Sequence, residues 1–139
     1  MLMYTNTFST SFLEIAYRPD LNLLMGRWQG TVAEAELHAG YDALRQAALY
    51  YVCGYWLIDS RRRVCSCVRS ADWVTTHYLP QVQQALGQPL RVGVLVLPDY
   101  QASQPQTYNN CLAEGAVQFA RFVDEGAANT WLATGPVGK

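Results

Sequence analysis

The chain has few charged residues, and lysine is almost missing. Only 15% of its 139 residues are charged, the formal net charge is −1, and the single lysine is Lys139. A charge so close to zero produces no general field that would attract nucleic acid or an anionic membrane surface. Half of the residues are hydrophobic, which is typical of a filled core and excludes a disordered chain. We therefore expect one globular domain over residues 1–139.

The chain also lacks the cysteine pattern of a zinc site. Its four cysteines, Cys53, Cys65, Cys67 and Cys111, form no CxxC pair and have no histidine pair beside them. Cys65 and Cys67 are the only closely spaced pair, and we interpret them as reduced loop thiols, with a redox or metal role as the alternative. We expect no metal and no cofactor.

A signal peptide and a membrane-spanning run are missing as well. The N-terminus has neither the basic start nor the continuous apolar stretch of a signal peptide. The longest uncharged apolar run, from Ala47 to Ile58, is shorter than the roughly 20 residues that a membrane helix needs. These absences predict a soluble, cytoplasmic protein with reduced thiols.

Strand and helix patterns alternate regularly along the chain. Alternating and apolar runs predict strands, and apolar spacings of three and four residues predict helices. The predicted strands cover residues 12–18, 21–28, 55–59, 92–97 and 117–123, and the predicted helices lie within residues 31–54, 71–86, 108–114 and 124–132. This ββαβαβαβα order is typical of an α/β domain with a five-stranded, mixed and mostly parallel sheet.

Local signals predict where the helices begin and end. Thr31 and Glu34 have capping-box spacing at the start of the first helix, and Gly54 follows its end. Ser70 is placed at the N-cap of the second helix. Pro80 lies inside the pattern of that second helix, and we expect it to kink or shorten the helix.

The predicted topology leaves one face of the sheet without helices. Crossovers that step steadily in one direction place the helices mainly on one face. The central strands are nonetheless apolar in both phases, since Tyr55 and Leu57 alternate with Trp56 and Ile58. We therefore expect a partner subunit, a bound apolar ligand or the N-terminal arm to cover the second face.

The strand at residues 55–59 passes directly into a cationic turn. Ligands of open α/β sheets are usually met at the carboxyl ends of the strands, and clustered arginines favour anions. The candidate interaction or anion-binding loop consists of Asp59, Ser60, Arg61, Arg62, Arg63 and Arg69. The alternative is a solvated loop in which one arginine pairs with Asp59.

No catalytic constellation can be assembled from the sequence. His38 and His77 have no third group placed beside them, and no nucleophile elbow, phosphate-binding glycine loop or zinc-binding helix motif is present. Asp59 as a general base is the remaining enzymatic interpretation. We expect a protein that is not an enzyme.

Three local patterns, together with the order of elements, resemble the STAS, or SpoIIAA-like, domains. They are the strand end at residues 56–61, the strand at residues 94–98 and the closing segment at residues 121–132. The resemblance spans about Phe12 to Leu132 and is closest to small stand-alone bacterial proteins that are related to both STAS and the lipid-binding Sec14 domain.

The resemblance implies a regulatory or protein-interaction module without catalytic residues, which binds another protein or forms a homodimer. The alternative that it implies is a carrier or sensor of a lipid or small hydrophobic ligand, as in Sec14-type domains. In some family members a serine at the start of the second helix is phosphorylated, and the matching position here is Ser70. Arg69 precedes it and no glycine follows, which departs from the phosphorylated pattern, so a plain N-cap is the alternative.

Overall fold

Each of the five predicted strands has a counterpart in the structure, and shorter strands lie between them. The structure is a computed structural model, and it describes residues 8–64, 73, 77–98, 112–114 and 116–133. The strands are β1 (Leu13–Arg18), β2 (Leu23–Trp28), β3 (Gly30–Thr31), β4 (Tyr55–Asp59), β5 (Arg63–Val64), β6 (Leu90–Leu95), β7 (Leu112–Glu114) and β8 (Val117–Phe122). The helices whose two ends lie within the described residues are α1 (Glu34–Tyr51), α2 (Leu79–Leu86) and α3 (Glu125–Ala133).

Six of these strands form one mixed sheet in the order β1-β2-β4-β6-β8-β7. The β1–β2 hairpin is antiparallel, β2, β4, β6 and β8 are parallel neighbours, and β7 returns antiparallel to β8. Strands β3 and β5 form a separate parallel pair. The α/β class and the steady stepping of the crossovers are confirmed.

The sheet has one strand more than the five predicted. Strand β7 occupies the end of the segment that the sequence assigned to a short helix, so that assignment is wrong for residues 112–114. These residues pair with β8 across a short turn, and pairing along an open strand edge overrides the local helix propensity of leucine, alanine and glutamate. The first part of that predicted helix lies outside the described residues.

Helix α1 begins two residues later than its predicted capping box. The carboxylate of Glu36 accepts a hydrogen bond from the N–H of Ala33 at 2.9 Å, whereas Thr31 lies in β3. Glu34 is the first residue of the helix. The predicted box of Thr31 and Glu34 is therefore wrong, because the chain is still paired with β5 at Thr31.

Gly54 does not end α1. The helix ends at Tyr51, and its C-cap residue, Val52, adopts the left-handed conformation with φ 52°. A Cβ atom on Gly54 would lie 2.3 Å from the carbonyl oxygen of Pro89. Glycine is needed at position 54 for this close approach of two backbones, which the sequence pattern does not distinguish from a helix stop.

Pro80 lies at the start of α2, which directly follows two π-helical residues, 77 and 78. It occupies the first turn, where a missing N–H and a fixed φ are tolerated. Gly87 closes the helix in the left-handed conformation, with φ 70°. The predicted N-cap Ser70 lies outside the described residues.

The first face of the sheet carries the main core, beneath α1 and α2. Two fully buried indoles, those of Trp28 and Trp56, are at its centre. The other large members of this cluster include Leu13, Ile15, Leu24, Leu37, Leu44, Ile58, Leu79 and Leu90. Helix α1 approaches the sheet so closely that a Cβ atom on Gly40 would lie 2.4 Å from the indole of Trp28.

Helix α3 packs on the second face, which corrects the expectation that a partner, a ligand or the N-terminal arm covers it. Its Ala128 and Leu132 form a smaller core with Leu57 and Leu95. The handedness of the crossovers does not fix the position of α3, because this helix follows the last parallel strand instead of connecting two. The guanidinium of Arg91 donates to the carbonyl of Trp131 at 2.8 Å and holds the end of the helix.

The outer edge of β1 is capped by side chains of the preceding segment. The hydroxyl of Ser9 accepts from the N–H of Ile15 at 2.8 Å and donates to the carbonyl of the same residue at 3.0 Å. The N–H of Leu13 donates to the hydroxyl of Thr10 at 3.0 Å. These side chains occupy backbone groups that an open strand edge would present to another chain.

Candidate functional site

The carboxyl ends of three parallel strands are tied together at one edge of the sheet. The N–H of Ser60 donates to the carbonyl of Leu95 at 2.9 Å, and the N–H of Val96 donates to that of Phe122 at 2.8 Å. The chain therefore leaves β4, β6 and β8 at the same place. Five of the exposed or half-exposed residues there are called the carboxyl-end surface below: Ser60, Arg61, Arg62, Leu97 and Val123.

Asp59, the last residue of β4, is buried, with 6% of its surface exposed. Its Oδ1 atom accepts from the backbone N–H of Arg61 at 3.1 Å and from the Nε of the same residue at 3.0 Å. Its Oδ2 atom accepts from the Nη2 of Arg61 at 2.8 Å and lies 3.4 Å from the Nε of Arg27 on β2. One carboxylate therefore lies between two guanidiniums.

The charge state of Asp59 follows from these contacts. Burial opposes ionisation of the carboxyl group, but the hydrogen bonds from Arg61 and the charges of Arg61 and Arg27 outweigh it, so the pKa of Asp59 lies below its usual value. A carboxylate with a lowered pKa and with both oxygens occupied is a weak proton acceptor. This arrangement argues against the general-base interpretation of Asp59.

The loop after β4 is fixed by its backbone. The carbonyl of Arg62 accepts a hydrogen bond from the N–H of Gly30 at 3.0 Å, and Gly30 is itself the register partner of Arg63 in the β3–β5 pair. Gly30 has a φ of 72°, a conformation that favours glycine. The Arg62 side chain is exposed. The predicted loop residues Asp59 to Arg63 are thus brought together, whereas Arg69, Ser70, Cys65 and Cys67 lie outside the described residues.

The strand register aligns a row of alternating charges on the second face. Glu14 on β1 is the register partner of Arg27 on β2, and Arg27 is the partner of Asp59 on β4. Neighbouring partners present their side chains on the same face of a sheet. Glu125, at the start of α3, lies at the far side of this row, with its Oε1 atom 3.7 Å from the Nη2 of Arg61.

A cleft of about 460 Å³ opens on the second face beside α3. Its lining consists of Glu14, Ala16, Arg18, Met25, Gly26, Arg27, Leu57, Asp59 and Glu125. Five of these nine residues are charged, and Met25 and Leu57 provide apolar contact area. The volume lies within the range of about 300–1,000 Å³ that small-molecule sites occupy. The second face is thus shared between a packed helix and a charged cleft.

No protein-family model matches the chain, and no curated protein matches it. A solved structure to which the chain is similar is that of an uncharacterised protein from the DUF3478 family, with a SpoIIAA-like fold, from Shewanella loihica PV-4. The sequences are 15% identical, the match covers 95% of this chain and 92% of that chain, and the TM-score is 0.49. The fold named for that protein is the one that the sequence patterns resemble.

Sequence reasoning missed the residues that β1, β2 and α3 contribute to the cleft. Arg27 carried a usable signal, because it is a charged residue inside an otherwise apolar strand. Glu14 and Glu125 carried none, since glutamates on an edge strand and in the first turn of a helix are ordinary. Their convergence depends on strand register and on the position of α3.

Two further features bear on the kind of site. Within the described ranges, no helix is both long and apolar enough to cross a membrane. In the same part of the chain, no group of three or more His, Cys, Asp or Glu residues is arranged to hold a metal ion.

Proposed function

We propose that this protein is a non-enzymatic interaction module that binds a partner protein through the carboxyl-end surface. The observation that carries the proposal is the exposure of two large apolar side chains beside arginines at one edge of the sheet. Leu97 is 52% exposed and Val123 is 44% exposed, and Arg61 and Arg62 follow the adjacent strand. Protein interfaces typically combine an apolar centre with arginine.

The local structure supports a binding role over a catalytic one. Asp59 is neutralised by Arg61 and therefore orients a loop instead of moving a proton. Because backbone hydrogen bonds at Ser60 and Arg62 fix that loop, little conformational freedom is lost when a partner binds. Preorganisation of this kind increases affinity.

A partner of different sequence fits this surface better than a second copy of the chain. Stable interfaces bury about 1,600 Å² of total surface, and those of obligate homodimers are more apolar than others. The most apolar part of the second face, which the sequence suggested for dimerisation, is covered by α3. The remainder of that face is the charged cleft.

The experiment compares affinity capture from the source cells by three forms of the protein. The test variant carries Arg62→Ser and Leu97→Ser, and the matched control carries Arg45→Ser and Leu21→Ser. Leu21 is 55% exposed, in the turn between β1 and β2 at the other end of the sheet, and Arg45 lies on α1. We expect the native and control forms to capture the same partner protein in equal amounts. The test variant should no longer capture it.

Native mass spectrometry of the same samples checks the oligomeric state. A dimer that the test variant disrupts and the control retains would replace the unlike partner with a homodimer at the same surface. Identical captured proteins and identical masses for the two variants would contradict the proposal, because they would show that the carboxyl-end surface contributes nothing to binding.

A carrier is the second candidate, and the volume of the cleft favours it. The lining does not suit the lipid or hydrophobic ligand that the family resemblance implies, since most of its residues are charged. An apolar ligand would remove these charges from water without pairing them. A small polar ligand is the version of this candidate that the geometry supports.

A further inference from the structure

Arg27 is the cation of the cleft that has the weakest protein partner. Its Nε atom is buried and makes no hydrogen bond within the described residues, and the nearest carboxylate oxygen, Oδ2 of Asp59, is 3.4 Å away. The Arg27 side chain is 41% exposed, and it lines the cleft. Part of the guanidinium therefore faces the cleft and is available to a ligand.

The carboxylate of Asp59 does not neutralise Arg27, because this carboxylate is already hydrogen-bonded to Arg61. Arg61 donates to both carboxylate oxygens, at 3.0 Å and 2.8 Å. Arg18, the other cation that lines the cleft, forms a close pair with Asp20, with 2.7 Å between Nη2 and Oδ2. The positive charge left for a ligand is that of Arg27, and a planar guanidinium favours an oxyanion that accepts two parallel hydrogen bonds.

Two glutamates restrict what such a ligand can be. Glu14 lies on β1 beside Arg27 and has no ion pair within the described part of the chain. Glu125 reaches Arg61 only at 3.7 Å. Both line the cleft, where they oppose a purely anionic molecule and attract a cationic group. A ligand that pairs both with Arg27 and with the two glutamates carries an ammonium group as well as the oxyanion.

We propose that the cleft binds a small zwitterion with a carboxylate or phosphate group on Arg27 and an ammonium group toward Glu14 and Glu125. An alkyl spacer between the two charged groups would lie on Met25 and Leu57, which form the apolar part of the lining. This site goes beyond the proposed partner surface and does not depend on it, since neither Leu97 nor Arg62 lines the cleft.

Isothermal titration calorimetry of the native protein with probes of increasing spacer length tests the proposal. The probes are linear amino carboxylates and the corresponding aminoalkyl phosphates, with acetate, inorganic phosphate and butylammonium as references that carry charge of only one sign. We expect the probe with one particular spacer length to bind about tenfold or more tightly than any of the three references, which corresponds to one additional charged contact. The series that binds more tightly, amino carboxylates or aminoalkyl phosphates, shows whether the preferred oxyanion is a carboxylate or a phosphate.

Three variants assign the binding to the cleft. Arg27→Gln removes the cation and should weaken the best zwitterion about tenfold or more, whereas Arg27→Lys, which keeps the charge without the fork, should weaken it by a smaller factor. Glu14→Gln should weaken the zwitterion and leave acetate binding unchanged or stronger. Arg45→Gln, on the outer side of α1, is the matched control and should bind as the native protein does.

The proposal is overturned if no zwitterion shows saturable binding at concentrations up to about 50 mM. A dissociation constant above that concentration is weaker than any specific charge-paired contact would give. It is equally overturned if Arg27→Gln, shown by its unfolding curve to be folded, binds the zwitterion as tightly as the native protein. Neither result affects the affinity capture, which depends on other residues, so failure of one proposal leaves the other standing.

Discussion

The two faces of the sheet are built on different principles. The first face is a continuous apolar surface closed by α1 and α2, and its two tryptophans are fully buried. The second face is divided between the small core under α3 and a cleft lined largely by charges. The first face therefore supplies most of the stability of the fold. The second face retains the charged groups on which the proposed zwitterion site depends.

The largest effect is expected on the first face, from Trp56→Ala. This change removes a fully buried indole and leaves the carbonyl of Cys53 without the donor that now lies 3.1 Å away. We expect the free energy of unfolding to fall by about 3–5 kcal/mol. Urea unfolding followed by circular dichroism measures it. Trp56→Phe, which keeps a ring in place, should lose clearly less, and a loss below about 1 kcal/mol for the alanine variant would mean that this core is not closed.

A smaller effect is expected from Leu132→Ala on the second face. Leu132 is 6% exposed and packs against Leu57 and Leu95. Its truncation should lower the free energy of unfolding by about 2–3 kcal/mol, the lower part of the range for buried leucines, because α3 can move inward. The exposed Leu21 provides the control, and Leu21→Ala should change stability by less than about 0.5 kcal/mol. Equal losses for the two leucines would show that α3 is not packed on the sheet.

The smallest effect, and one that depends on pH, is expected from Asp59→Asn. Removal of the charge weakens the hydrogen bonds from Arg61 and the charge contact with Arg27, and we expect a loss of about 1–3 kcal/mol at neutral pH. Because the folded-state pKa of Asp59 is lowered, its contribution is present above the unfolded-state pKa of about 3.9 and disappears as pH falls through the folded-state value.

The measurement for Asp59 is the difference in unfolding free energy between native and Asp59→Asn proteins from neutral to acidic pH. The difference should be constant near neutrality and shrink below about pH 4. A difference that stays constant into that range would show that packing, and not charge, is what Asp59 contributes. On the second face, charge pairing would then be less important than the contacts of Asp59 suggest.

The bounds of a strand could be predicted from the sequence where strong local signals mark both of its ends. Strand β4 has the predicted bounds because a glycine precedes it and a cationic turn follows it. Strand β6 begins two residues earlier than predicted, at Leu90, and therefore includes Arg91. Its guanidinium is in fact buried against Trp131, with 3.7 Å between Cζ and the ring centroid, and only the position of α3 makes that possible.

The candidate site was predictable only in part, for the same reason. Asp59 and Arg61 are two residues apart, so their pairing follows from local sequence. Arg27 and Glu14 are aligned with Asp59 only by the register of three strands. A shift of that register by one residue would place their side chains on the other face of the sheet. Long-range register and the face chosen by a terminal helix are set by the whole core, and no local pattern encodes them.

The hydroxyl of Ser9 has a consequence for how the protein behaves at high concentration. It engages both backbone hydrogen-bonding groups of Ile15, and the neighbouring Thr10 engages Leu13. A β-strand from another molecule could add to the middle of β1 only by displacing these side chains and leaving their polar atoms to find new bonds. Two small residues thereby protect the edge strand β1 from pairing with another molecule, in a protein whose net charge is too small to keep its copies apart.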